Sequence, residues 1–118
     1  MKVLVCGSRT WNDPGAIKEK LLEAGATLVI HGAAQGADRQ ASQAAMDLGI
    51  EQIAYPANWN KYGRSAGFRR NEQMLDEGKP DLVMAFFDRV RTAGTAHTVT
   101  EARKRGIAVV EYGLNEDL

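Results

Sequence analysis

Residues 2–31 read KVLVCGSRTWNDPGAIKEKLLEAGATLVIH, and this stretch decides the fold. Lys2 to Cys6 is a short apolar run without polar alternation, the pattern of a strand covered on both faces. Gly7 to Trp11 breaks it. Asn12-Asp13-Pro14 then supplies a capping side chain followed by a proline at the first helical position, where its missing N–H costs nothing. Ile17, Leu21, Leu22 and Ala24 give the helix one apolar face, and Gly25 suits the left-handed residue that ends it. Thr27 to His31 reads as a second strand. Strand, helix and strand in this order form a βαβ unit, which makes the two strands parallel.

The alternation continues along the chain. A second helix is expected from about Gly36 to Leu48, with Ala37, Ala41, Ala44, Ala45 and Leu48 on one face and Gly49 beyond it. Strands follow at Gln52 to Tyr55, Asp81 to Phe86 and Ile107 to Glu111. Between them lie helices near Gly67 to Glu77, packing Phe68, Met74 and Leu75, and near Thr95 to Arg105, packing Val99 and Ala102 and stopping at Gly106. Right-handed crossovers favour the strand order 3-2-1-4-5, with a reversal between the first and fourth strands. The predicted class is α/β: a three-layer, doubly wound parallel sheet of Rossmann-like type, with residues 1–118 as one domain.

Composition sets further bounds. The 118 residues carry 15 Lys and Arg against 15 Asp and Glu, so no overall field recruits nucleic acid or an anionic membrane, and any basic site must be local. The single cysteine, Cys6, cannot form an intrachain disulfide. No apolar run has the length of a membrane span or of a secretion signal, so a cytoplasmic protein is expected. Residues 115–118 read as a loose acidic tail.

In such sheets, ligands sit beyond the carboxyl ends of the strands where the order reverses. Three unusual loops fall there. Gly7-Ser8-Arg9 offers close backbone approach, a hydroxyl and a guanidinium able to clamp phosphate through paired hydrogen bonds. His31 to Asp38 is a small-residue loop running into a helix N-terminus, where free amides and the helix dipole favour an anion. Arg91-Thr92-Ala93-Gly94-Thr95 opens another helix. Gly7, Ser8, Arg9, Gly32, Gly36, Asp38, Gly94 and Thr95 are therefore expected to line one cleft, with Gly36 keeping the helix amides open to the ligand.

The connection Ala57 to Ala66 adds Trp59, Lys61, Tyr62 and Arg64, ahead of Arg69, Arg70 and Asn71. An aromatic there can stack on a base while cations meet phosphate. Trp59, Arg70 and Asn71 join the ligand-binding candidates. The competing reading has the aromatics pinning the loop and the cations merely solvated.

The dinucleotide fingerprint and the P-loop are both missing, since no glycine-rich turn has the required spacing or lysine. No cluster has metal-ligand spacing, and no cofactor is implied. Asp38 either meets a ribose hydroxyl, acts as a base, or stabilises a helix dipole. His31 reads as a structural histidine and Cys6 as core, while His97 either faces the ligand or lies on an exposed helix face.

Together VLVCGSRTW, HGAAQGAD, YPANWNKYGRSAGFRRNEQML, PDLVMAFF, AGTAHTV and EARKRGI resemble the SLOG superfamily, specifically its small YspA-type members. The likeness covers nearly the whole chain. It implies a Rossmann-like fold and a ligand that is a nucleotide or nucleotide derivative. Relatives include phosphoribohydrolases, DNA-binding recombination mediators and proposed sensors. Departures bear on the reaction. Where relatives usually show two glycines in the second loop, this chain has Gly32-Ala33, and Arg91-Thr92-Ala93 stands where a double glycine precedes the last Gly-Thr. The hydrolase branch resembling the Lonely Guy enzymes carries a glutamate shortly after that Gly-Thr, and the matching positions here are His97 and Thr98. Glu101 lies one turn further on.

The leading expectation is a module that binds or senses a nucleotide-derived ligand such as ADP-ribose, NAD or a nucleoside phosphate. The first alternative is an N-glycosidic or phosphoribosyl hydrolase using Asp38 or Glu101. The second is a nucleic-acid-binding module in which Arg64, Arg69 and Arg70 follow a backbone. Apolar residues on an outer helix face leave room for a homodimer.

Overall fold

The computed structural model describes residues 1–88 and 92–113. Five strands, β1 (Lys2–Gly7), β2 (Leu28–His31), β3 (Glu51–Ala54), β4 (Leu82–Phe87) and β5 (Ala108–Gly113), form one sheet in the order β3-β2-β1-β4-β5. Every pairing is parallel. The architecture is the Rossmann-like one expected from the βαβ pattern.

Alternation along the central strands explains the layers. On β1, Val3 and Val5 join Met84, Phe86, Trp11 and the inner faces of α1 (Pro14–Ala24) and α2 (Ala37–Leu48) in one buried cluster. Leu4 and Cys6 point the other way, into a second cluster with Met74 and Leu75 of α4 (Ala66–Gly78) and Val99 and Ala102 of α5 (Ala93–Lys104). Helices thus cover both faces of β1 and β4, which is why these strands carry no polar alternation.

The punctuation acts as anticipated. Asp13 caps α1, its Oδ1 accepting from Ala16 N at 3.1 Å, and Pro14 is the first helical residue. Gly25 and Gly49 close α1 and α2 in the left-handed conformation.

Three details differ from the sequence expectation. Residues 59–65, expected as loop, form a short helix α3 (Trp59–Tyr62) and a 3₁₀ turn (Gly63–Ser65) before α4 begins at Ala66. Asn58 nucleates α3 by accepting from Lys61 N at 3.1 Å, an Asx cap that the loop reading overlooked. Phe68 is 43% exposed rather than core, with its ring 4.4 Å from that of His97. Leu22 is 60% exposed because it sits about 100° round the helix from Leu21, which takes the inward position.

Among the described residues, no helix is long and apolar enough to cross a membrane. The expected acidic tail, residues 115–118, and Arg91 lie outside the described residues.

Candidate functional site

The strand order reverses between β1 and β4, whose ends pair Gly7 with Phe86. Beyond those ends opens a cleft of about 310 Å³. Gly7 and Arg9 line it from the first loop, Ala34 and Asp38 from the second, Arg70 and Asn71 from α4, and Thr92, Gly94, Thr95 and Thr98 from the start of α5. The three loops therefore meet. A second hollow of about 290 Å³ adjoins it, lined by Gly32, Ala33, Gln35, Arg39, Pro56 and Trp59, and the two share Arg9, Ala34 and Arg70.

Gly7 is required sterically, since a Cβ there would fall on the Phe86 carbonyl. Arg9 follows it on the exposed surface of the loop. Among the described residues no carboxylate lies within ion-pair distance of Arg9. Arg70 approaches from the opposite wall, half-buried. Its Nη1 donates to Gly32 O at 2.5 Å and to Tyr55 O at 3.4 Å, and its Nε donates to Asn71 Oδ1 at 2.9 Å. These bonds fix the guanidinium plane and leave part of the group facing both hollows. Burial holds the Arg70 pKa below the usual arginine value, the carboxylate of Asp38 opposes that shift, and the positive charge of Arg9 adds to it. The two guanidinium groups thus repel each other across the cleft, an arrangement that an anion between them relieves.

Asp38 occupies the first turn of α2 and is buried, 6% exposed. Its Oδ2 accepts from Gly32 N at 2.8 Å and from Ala34 N at 3.4 Å, so it clamps the second loop while lining the cleft. Burial raises its pKa, opposed by those backbone donors and by the charge of Arg70. Asn71 is equally buried and ties the walls together, its Nδ2 donating to Gly94 O at 3.3 Å and lying 3.4 Å from His97 Nδ1. Thr92 caps α5, its hydroxyl 3.0 Å from that of Thr95.

Three predicted cleft residues stand elsewhere. Ser8 is buried, Oγ accepting from Asp88 N at 3.2 Å, so its hydroxyl fastens the first loop to the end of β4. Gly36 lies at φ +78°, and a Cβ there would overlap the Ser8 and Arg9 backbone. This glycine lets the two loops touch. Gly32 lies in the outer hollow, where an added Cβ would meet the Arg70 guanidinium. Trp59, 53% exposed, also lines the outer hollow, its ring edge resting over Gly67.

Other candidates resolve as well. His31 is structural: Nδ1 accepts from Ala33 N at 3.1 Å and Nε2 lies 2.9 Å from Gln52 Oε1. His97 does not line the cleft; it packs on Phe68 with Nε2 3.7 Å from Glu72. Glu101 ion-pairs with Arg105 at 2.9 Å and Lys104 at 3.0 Å, near the far end of α5, and hydrogen bonds from these partners hold its carboxyl below the ordinary value. Cys6 reaches the cleft floor, where burial pushes its thiol far up and keeps it un-ionised. The sequence reading missed Thr98, although its spacing of three from Thr95 marks the same helix face. Among the described residues, no group of three or more His, Cys, Asp or Glu side chains converges as a metal would require.

Comparison with known proteins gives the family and the fold. The sequence profile of the YAcAr family, described as YspA, cpYpsA-related SLOG family, matches residues 1–62. Gene 61 protein of Mycobacterium phage D29 is 34% identical over 122 residues, covering 95% of this chain and 96% of that protein. The chain belongs to this SLOG family. Its fold is also similar to the X-ray structure of DNA processing protein A (DprA) from Streptococcus pneumoniae, with TM-score 0.56 and 16% identity over 94% of this chain. The SLOG chain spans 58% of the length of that protein, and the likeness is one of fold. The profile match takes in the first two loops and Trp59; Arg70, Asn71 and Thr95 enter the cleft through the tertiary structure.

Proposed function

We propose that this protein binds a nucleotide or nucleotide-derived phosphate ligand in the cleft at the carboxyl edge of its sheet, as a binding or sensing module. One observation carries the reading: Arg9 and Arg70 face the same cleft, and among the described residues neither has a carboxylate within ion-pair distance to neutralise it. A phosphate completes that pair through charge-assisted hydrogen bonds, with the first turns of α2 and α5 adding favourable dipoles. Membership of the SLOG family supports the same ligand class. Calorimetry against ADP-ribose, NAD, AMP and cyclic nucleotides tests it, and absence of binding by all of them would overturn it.

Hydrolysis of such a ligand rests on Asp38 alone, because Glu101 is committed to Arg105 and Lys104. A buried carboxyl with a raised pKa in a cleft suits a general acid. Chromatography for free base released from nucleoside monophosphates separates turnover from binding.

A further inference from the structure

We infer that Asp38 meets the ligand as an acid: it binds in its protonated form, its Oδ1 hydroxyl donating to a phosphate oxygen held between Arg9 and Arg70, so that binding takes up a proton. The inference rests on the reading of the cleft as a phosphate site and adds how protons regulate it.

The two oxygens of the Asp38 carboxyl are not equivalent. Oδ2 accepts from both Gly32 N and Ala34 N, which clamps the second loop. Oδ1 takes no donor among the described residues, although the residue is only 6% exposed and lines the cleft. A proton therefore goes to Oδ1 and leaves the clamp on Oδ2 intact. The hydroxyl so formed needs an acceptor, and a phosphate oxygen supplies one.

Charge favours the same state. The described lining of the cleft holds two cations, Arg9 and Arg70, and one carboxylate, Asp38. Burial raises the Asp38 pKa against the Gly32 amide, Arg70 of α4, the Ala34 amide and His31 of β2. Cys6 of β1, on the cleft floor, stays a thiol, and the start of α5 contributes only the neutral hydroxyls of Thr92, Thr95 and Thr98. A phosphate between the guanidinium groups cancels the influence of Arg70 and sets a like charge beside the carboxylate. Ionised Asp38 then repels the ligand, whereas protonated Asp38 donates to it. The bound state thus holds the proton more tightly than the free state. By linkage, affinity is greatest at the acid end and falls as pH rises from the free pKa of Asp38 to its bound value.

The test is calorimetry of the whole protein with ADP-ribose over about pH 5–8, in pairs of buffers that differ in ionisation enthalpy. Both phosphates of this probe are diesters of fixed charge, unlike a monoester, which titrates at about pH 6. Wild type should bind roughly threefold to tenfold more tightly for each pH unit lowered within the coupled interval, and the buffer dependence of the heat should report proton uptake. Asp38→Asn keeps an oxygen for the two loop amides and presents an amide donor in place of the hydroxyl. At the alkaline end it should bind more tightly than wild type, with no pH slope and no proton uptake. In isotope-labelled wild type, the Asp38 carboxyl resonance should titrate at higher pH with ADP-ribose than without it, a readout that needs no variant to fold. Binding without proton uptake, or uptake that persists in Asp38→Asn, would overturn the inference. Weaker binding by a folded Asp38→Asn at every pH would also overturn it, and would leave Asp38 an ionised acceptor of ligand hydroxyls. Absence of binding by both proteins at every pH would instead remove the phosphate site on which the inference rests.

Discussion

Replacing Arg9 by alanine separates ligand binding from folding, because the proposed site gives the two effects opposite signs. Arg9 is exposed, and no described carboxylate pairs with it. Its charge acts on Arg70, which is half-buried and held by carbonyl and amide oxygens. Removing Arg9 takes away a like-charge repulsion, so the melting temperature of the free protein should stay level or rise slightly. Ligand binding should move the other way. One charge-assisted hydrogen bond to phosphate contributes about 1.5–3 kcal/mol, which corresponds to a loss of roughly tenfold to a hundredfold or more in affinity. Lysine keeps the charge but not the planar fork, so Arg9→Lys should fall between the two. Calorimetry with ADP-ribose and thermal melts of the free protein, on the same two variants, give both numbers. Unchanged affinity together with a lowered melting temperature would show that Arg9 is a structural residue and would refute the argument.

Gly36→Val should unfold or severely destabilise the protein, at a cost of about 3 kcal/mol or more, since a side chain at φ +78° meets the backbone of Ser8 and Arg9; a variant with a wild-type melting temperature and only weakened binding would contradict this. Asp38 has a raised pKa in the fold, so its protonated form is favoured there and its contribution to stability is lost as pH rises from about 4 through the raised value. The stability of Asp38→Asn relative to wild type should therefore improve over that interval, and a gap independent of pH in denaturant titrations would count against the buried carboxyl. Glu101→Gln should leave affinity for ADP-ribose at the wild-type level, because its partners Arg105 and Lys104 lie away from the cleft; a loss of binding would return Glu101 to the site.

Much of this molecule is legible in one dimension because its signals are local or depend on burial alone. Strand runs without polar alternation, the Asp13-Pro14 start of α1 and the left-handed Gly25 and Gly49 follow from backbone geometry within a few residues. Strand order then follows from the handedness of the crossovers, and with it the convergence of three loops on the β1–β4 reversal. What the side chains do within that frame was decided by neighbours distant in sequence. The Ser8 hydroxyl satisfies the amide of Asp88, eighty residues away, a partner that its own loop does not reveal. Gly36 is where the second loop rests on the first, a contact between segments that no local pattern announces. Arg70 reaches Gly32 across thirty-eight residues, and Asn71 reaches Gly94 across twenty-three. Composition near those residues marks them as polar and basic, without saying which of them a carbonyl will hold. Ala33, at φ +57°, takes a conformation that favours glycine. Local geometry and handedness place the cleft. The direction of each polar side chain within it is set by the requirement that every buried donor and acceptor find a partner, and those partners come together only when the sheet closes.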